Sequence, residues 1–462
     1  MNSKFRRCGQ LAADRSKSDL MTEGSIGRKL LVFCVPLILG NLLQQLYNTA
    51  DSVIVGNFVG SNALAAVGSS GALIYLLIAF SQGVSVGAGV VISHYLGADD
   101  SRNASAAVHT ALAIVAILGV VLTAAGVALS RALLVLLNTP DDVMADSVTY
   151  LRIYFGGVLF NVVYNMTAGI LNAAGNSRRS LLYLAIASVT NIVLDIVCVA
   201  LLDMGVAGAA IATNVSQLLS CVLSMGYLVR VNAPYRVVWR ELRIDGRMAG
   251  NIIRIGLPTG IQNMVISLSN AVVQSSVNAF GSDAMAGFGA YMKIDGFNIL
   301  PVLSLSLAMT TFTGQNLGAG KVERVKKEVC ASRSPWGWVI RSRRARCCWR
   351  SPRRSCGSLP TTPPPSRMGS LPCGISARST SSSASCTSSR GRCAARGKSI
   401  PPMVIMLVSL CVVRIAWLKL VAPLYGTIDG VFIAYPITWA VGMGLMVLYS
   451  VFGKWLKVRT DY

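Results

Sequence analysis

VPLILGNLLQQLYNTAD, residues 35–51, decides the fold because the chain repeats it. Residues 257–273 read LPTGIQNMVISLSNAVV, so a displacement of 222 lays Pro36 on Pro258, Asn41 on Asn263 and Asn48 on Asn270. After a one-residue gap GSNALA (60–65) lies on GSDAMA (281–286), and Leu96-Gly97-Ala98 on Leu317-Gly318-Ala319. Further on, Gly175 and Ser177 meet Gly397 and Ser399, while Gly208, Ile211 and Ala212 meet Gly430, Ile433 and Ala434. The chain is one unit written twice.

The unit is a membrane unit. The 462 residues are 53% hydrophobic and only 13% charged, with a mean hydropathy of +0.57, whereas soluble domains carry roughly 25% charged residues. Apolar runs long enough to cross a hydrocarbon core, about 20 residues each, lie near 30–54, 62–92, 104–128, 148–172, 182–202, 206–228, 250–277, 284–311, 401–422 and 429–452. Residues 1–27 carry Lys4, Arg6, Arg7, Arg15 and Lys17 without an apolar core, so they are expected to form a polar cytoplasmic tail. One set of loops is basic: Arg178 and Arg179, then Arg230 to Arg247, then Lys321, Arg324, Lys326 and Lys327, then Lys398, then Lys454, Lys457 and Arg459. The alternate loops hold Asp141, Asp142, Asp146, Asp203, Asp283 and Asp429. Positive loops stay inside, so both termini are expected in the cytoplasm.

One stretch breaks this composition. Residues 331–396 hold 13 Arg, 16 Ser, 7 Pro and 6 Cys with no Asp, Glu, Lys or His, an alphabet from which no lipid-facing helix can be built. Without it the formal charge falls from +23 to +10. The repeat displacement is 221 before the stretch and 222 after it, so the stretch has nearly the length of its partner, residues 110–174, which hold the third and fourth spans. Twelve spans are therefore expected, with the ninth and tenth overwritten. Arg, Ser, Pro, Cys and Gly together are what a GC-rich gene yields out of frame, so a frameshift near 331 corrected near 396 is the reading adopted. On that reading the run Arg341 to Arg354 is no nucleic-acid patch, and Gly397-Lys398-Ser399 no phosphate loop. The 12 cysteines form neither a disulfide framework nor a zinc spacing. Six spans per copy make the repeats parallel, an arrangement used by transporters that rock two bundles about a central site. The expected domains are a tail (1–27), an amino-terminal lobe (28–230), a cytoplasmic linker (231–249), a carboxy-terminal lobe (250–455, with 331–396 aberrant) and a second tail (456–462).

Ionisable residues inside spans cost about 2.5–3.5 kcal/mol each on insertion scales, so each is a functional candidate. Asp51 lies near the outer end of the first span and Asp195 near that of the fifth. Asn191 precedes Asp195 by four residues, on the same helical face. Thr213 enters the sixth span from the same side. At 1.5 Å per residue these positions fall roughly 8–12 Å below the outer surface. Two carboxylates with an amide and a hydroxyl at one depth suit proton exchange or coordination of a bare cation such as Na⁺. Packing of Asp51 against a neighbouring helix is the structural alternative. No equivalent acids exist in the second half, where Val273 and Trp417 hold the matching places.

Polar residues also line the first span at steps of three and four: Asn41, Gln44, Gln45, Asn48 and Asp51. The seventh answers with Asn263, Ser267, Asn270, Gln274 and Asn278. Such stripes face a water-filled cavity or a partner helix; Asn41, Gln45, Asn48, Asn263, Asn270 and Gln274 are the candidates for lining a substrate cleft. Lys293 and Asp295 in the eighth span and Arg414 in the eleventh are candidates for gating or structural pairing.

These motifs resemble the multidrug and toxic compound extrusion (MATE) transporters. The resemblance is carried by Pro36 to Asn41 with Tyr47 to Asp51, Gly97-Ala98, Asn191 to Asp195, Gly208 with Thr213, and Gly314 to Gly320, and it covers about 28–330 and 397–455. It implies an all-α, twelve-helix fold of two parallel six-helix repeats, and a bacterial inner-membrane antiporter exporting small organic cations or amphipaths through a cleft between lobes. H⁺ or Na⁺ would be the coupling ion, with no other cofactor or metal, and the chain is expected to act as a monomer. In the branch whose coupling acids lie in the first lobe, the matching positions are Asp51, Asn191, Asp195 and Thr213. A lipid-linked glycan flippase of the same superfamily and an inactive frameshifted product stay open beside it.

Overall fold

Apolar runs in a membrane must satisfy every backbone N–H and C=O internally, and helices do so within one segment. The computed structural model describes residues 20–136, 139–278, 280, 282–331, 399–425 and 428–452, and their regular elements are helical. All but the first residue of the arginine-rich stretch lies outside them, and so do the expected ninth and tenth spans. In chain order the helices are α1 (Ile26–Phe58), α2 (Ser61–Gly97), α3 (Ser101–Leu136), α4 (Asp141–Gly156), α5 (Val158–Ala173), α6 (Ser177–Asp195), α7 (Gly205–Arg230), α8 (Gly246–Asn278), α9 (Ser282–Gly318) and α10 (Val322–Ala331). Beyond the stretch, α11 (Ile400–Tyr425) is one span interrupted by π-helical turns, followed by α12 (Asp429–Phe432) and α13 (Ala434–Phe452). Among the described residues six helices are long and apolar enough to cross a membrane by length and composition, or seven with one bent pair. Each of the ten apolar runs read from the sequence coincides with helix.

The fourth run is the bent pair. Instead of one helix over 148–172, α4 and α5 meet at Gly156-Gly157 with a bend of 48°. Asp141 and Asp142 in the first turn of α4 complement its positive end. At the break, the Asn214 side chain of α7 fills the space beside Gly157 and donates to the Ile153 carbonyl. An amide side chain thus occupies the place of a Cβ.

The chain divides into two compact units, one comprising residues up to Gly260 with Gly314–Gly320, the other Ile261–Thr313 with the residues from Lys321 onward. In the first unit, helices approach at glycines, as expected where lipid supplies no hydrophobic drive between helices. A Cβ on Gly83 or Gly87 of α2 would meet the backbone of α8 around Ile252, Gly256 and Gly260, and one on Gly256 would lie 2.9 Å from Val84 Cα. Both partners carry glycines four residues apart, stacking them on one face. The motif Gly314 to Gly320 packs with equal intimacy: a Cβ on Gly97 would strike Gln315, and one on Gly318 the His94 carbonyl. Gln315 and Asn316 are both 0% exposed. Gln315 accepts from the Met21 N–H (2.8 Å) and donates to the Ala173 carbonyl (2.8 Å), while Asn316 donates to the Met21 carbonyl (3.3 Å). The approach to α1 is thereby fastened to the ends of α5 and α9.

The segment 231–245 is clamped to α3. The His109 ring, 2% exposed, accepts from the Val238 N–H through Nε2 (2.9 Å), which places its proton on Nδ1, 2.8 Å from the Ser105 carbonyl. Thr110 Oγ accepts from the Asp245 N–H (3.1 Å). Replacing His109 by Ala orphans a backbone donor, at a cost of about 1–3 kcal/mol. A lowered thermal midpoint of the detergent-solubilised variant is expected, and an unchanged midpoint shows that the clamp contributes nothing.

The second unit is centred on Val273, Val277, Phe288, Leu418, Ile428, Val431, Phe432 and Tyr435, with the Phe288 and Phe432 rings 5.9 Å apart. The internal repeat is visible in its finer structure. A π-helical turn, Ile196–Leu201, continues α6 directly after Asp195; another, Trp417–Val421, begins at the residue 222 further on. Gly208 and Gly430, also 222 apart, sit beside Cys198 within the first turn and Ala422 just past the second.

Candidate functional site

The first unit carries the acids. Asp195 is 0% exposed and Asn191 1%, both on the face of α6 turned away from Val189 and Val193, which are 63% and 53% exposed. Asp51, on α1, is half-buried, and its charge acts on Asp195. Asp51 Oδ1, both Asp195 oxygens, both polar atoms of the Asn191 amide and Gln217 Oε1 are buried without a hydrogen-bond partner. Native interiors leave few such atoms, and a buried carboxylate whose neighbouring charge is another carboxylate is costly unless a proton or cation neutralises it. The donors are hard oxygens, which fit H⁺ or a small cation such as Na⁺.

The expected pair of acids is therefore brought together, with Asn191 one turn from Asp195. Thr213 stands half-buried on α7, one turn before Gln217 and so on the same face. Three tyrosines complete the surroundings. Tyr47 lies against the Gln44 and Gln217 side chains, within electrostatic reach of Asp51 and Asp195; Tyr150 senses both acids and Tyr154 senses Asp51. The rings of Tyr150 and Tyr154 stack at 6.2 Å between centroids. Sequence reading omitted Tyr150, Tyr154 and Gln217, although helical spacing marked them: Tyr150 and Tyr154 are four apart, Tyr47 precedes Asp51 by four, and Gln217 follows Thr213 by four.

The stripe residues differ in their surroundings. On α1, Asn41 and Gln45 are half-buried and Asn48 exposed. On α8, Asn263 and Gln274 are half-buried, whereas Asn270 gives its amide oxygen to Arg414 Nη1 (3.3 Å). Arg414 is 2% exposed, donates to Ser269 Oγ (3.0 Å) and Thr438 Oγ1 (2.9 Å), and lies 4.7 Å from the Tyr435 ring centroid. It ties α8, α11 and α13 together within the second unit. Lys293 and Asp295 fall on α9 where the backbone alone is described.

Comparison with known proteins places this arrangement. The MatE family model matches residues 36–197 and 258–332, a range that includes Asp51, Asn191 and Asp195. The chain is 32% identical to "Probable multidrug resistance protein YpnP" of Bacillus subtilis (strain 168), over 66% of this chain and 68% of that protein. It is 27% identical to "FAD transporter" of Shewanella oneidensis, over 66% and 69%. Among solved structures, "Outward-facing conformation of a multidrug resistance MATE family transporter of the MOP superfamily" shares the fold with a TM-score of 0.84 at 22% identity, covering 93% of this chain and 96% of that one. "Crystal structure of MATE in the straight conformation" does so with a TM-score of 0.81 at 21% identity, over 93% and 95%.

Proposed function

The chain belongs to the MatE family of multidrug efflux transporters, and from that premise we propose that it exports organic cationic or amphipathic compounds by antiport against H⁺ or Na⁺. It is a multi-pass membrane transporter and not an enzyme. The observation that carries the coupling is the set of buried, unpartnered oxygens on Asp51, Asn191 and Asp195. Ion occupancy there changes the charge of the first unit's interior, and a conformational equilibrium follows whichever state the ion binds better. Thr213, one turn before Gln217 on α7, adds a hydroxyl from a third helix. Within the first unit Asn41, Gln45 and Asn48, and within the second Asn263 and Gln274, supply polar surface for the compound, while Asn270 is engaged by Arg414, which steadies the second unit. The basic loops support a plasma-membrane orientation with both termini in the cytoplasm, and one chain is sufficient for transport.

Dye efflux tests the reading. In vesicles holding the full chain, an imposed ΔpH or ΔNa⁺ is expected to drive export of a fluorescent cationic dye, with Asp51→Asn weakening the response and Asp195→Asn abolishing it. Transport indifferent to both gradients refutes antiport. Transport of a flavin dinucleotide in place of the dye moves the substrate class to anionic compounds.

A further inference from the structure

A cavity of about 190 Å³ opens between the beginnings of α1 and α6, beside the loop that leads to Arg178 and Arg179. Lys29 and Arg178 line it, together with Met21, Val32, Asn176 and Ser177. Its floor is built rather than accidental. Ser177 is 3% exposed and donates to the Phe33 carbonyl (3.0 Å), and Met21, 1% exposed, is held by Gln315 and Asn316. Lys29 is half-buried, its Nζ 3.4 Å from the Leu20 carbonyl. Asn176 Oδ1 already caps α6 by accepting from the Arg179 N–H, so the positive character of the cavity comes from the two cationic side chains.

Two apolar stripes run away from this cavity along the outside of the molecule. Val32, Val35 and Leu39 of α1 are 50%, 49% and 45% exposed, and Leu182, Ile186 and Val189 of α6 are 47%, 38% and 63% exposed. Spaced at three and four residues, each set forms one exposed apolar face of its helix, the kind of surface a bilayer covers. A basic cavity between membrane helices, continuous with lipid-facing stripes, has the two-part chemistry of an anionic phospholipid: a phosphate at one end and acyl chains below it. We infer that this cavity holds the phosphate group of an anionic phospholipid from the surrounding leaflet. The occupant lies against Met21, and through it braces the fastening made by Gln315 and Asn316. The assignment depends on the chain's spanning a bilayer and not on which compound it exports.

The full chain, purified in neutral detergent, tests it by thermal unfolding with phosphatidylglycerol, phosphatidylcholine or inorganic phosphate added. Phosphatidylglycerol is expected to raise the midpoint by at least about 3 °C, and the Lys29→Gln/Arg178→Gln double variant to lose that shift. Arg179→Gln removes a neighbouring charge outside the cavity, where Arg179 lies over the Tyr227 ring, and is expected to keep the shift. An equal shift from phosphatidylcholine, or a double variant responding like the unmodified chain, overturns the site. Inorganic phosphate matching phosphatidylglycerol overturns the lipid in favour of a free anion. Arg179→Gln behaving like the double variant reduces the effect to surface charge.

Discussion

Asp195→Asn is expected to abolish gradient-driven transport while leaving dye binding within about twofold of the unmodified chain. The substitution preserves shape but removes the group that a proton or cation neutralises, at a position 0% exposed and within electrostatic reach of a second carboxylate. A hundredfold loss corresponds to about 2.8 kcal/mol of coupling, at 1.4 kcal/mol per decade. That is modest beside the several kcal/mol at stake when an ion is buried without compensation. Binding is expected to survive because the dye owes its affinity to apolar and polar surface elsewhere. Initial efflux rates under a fixed ΔpH or ΔNa⁺, with binding read by fluorescence polarisation, check both halves. Undiminished transport removes Asp195 from the mechanism; lost binding with lost transport makes it part of the substrate path.

Residues 331–396, presented to a membrane-insertion assay with glycosylation acceptors on either side, are expected to insert not at all, whereas residues 110–174 insert as a helical pair. Arginine near the centre of a span costs about 2.5–3.5 kcal/mol, so three such residues alone disfavour insertion by roughly 8–10 kcal/mol, and the stretch has 13. The family match stops at residue 332, where the composition changes. Grafting 110–174 in place of 331–396 restores the length and the apolar content of the repeat, and is expected to raise accumulation of the chain in membranes several-fold. Equal accumulation shows that the membrane tolerates the stretch as it stands.

The acids were legible in the sequence because charge in an apolar run is conspicuous, and Asp51 and Asp195 needed only depth to be brought together. The repeat was legible because Pro36, Asn41 and Asn48 recur at one displacement. Contacts between backbones were not. Gly83 and Gly87, like Gly256 and Gly260, fit any glycine-rich apolar run until the facing helix is known. The break at Gly156-Gly157 was missed because hydropathy continues across it and only Asn214, some 60 residues away, reveals the freed Ile153 carbonyl. Asn270 read as a cleft residue by its stripe, yet its amide oxygen faces Arg414, since periodicity marks a polar face without saying whether water or another side chain meets it.

The π-helical turns after Asp195 and from Trp417 have a consequence for how such chains are compared. An i→i+5 turn holds a surplus residue relative to an α-helical one, which rotates everything beyond it by about 100° at 3.6 residues per turn. A helical wheel drawn straight through Ile196–Leu201 therefore assigns the far end of that span to the wrong side. Because α11 carries a second surplus turn at Val408–Val413, whose counterparts 186–191 are α-helical in α6, the error does not cancel when one half is laid on the other, and it recurs whenever either is aligned with a relative whose helix runs unbroken.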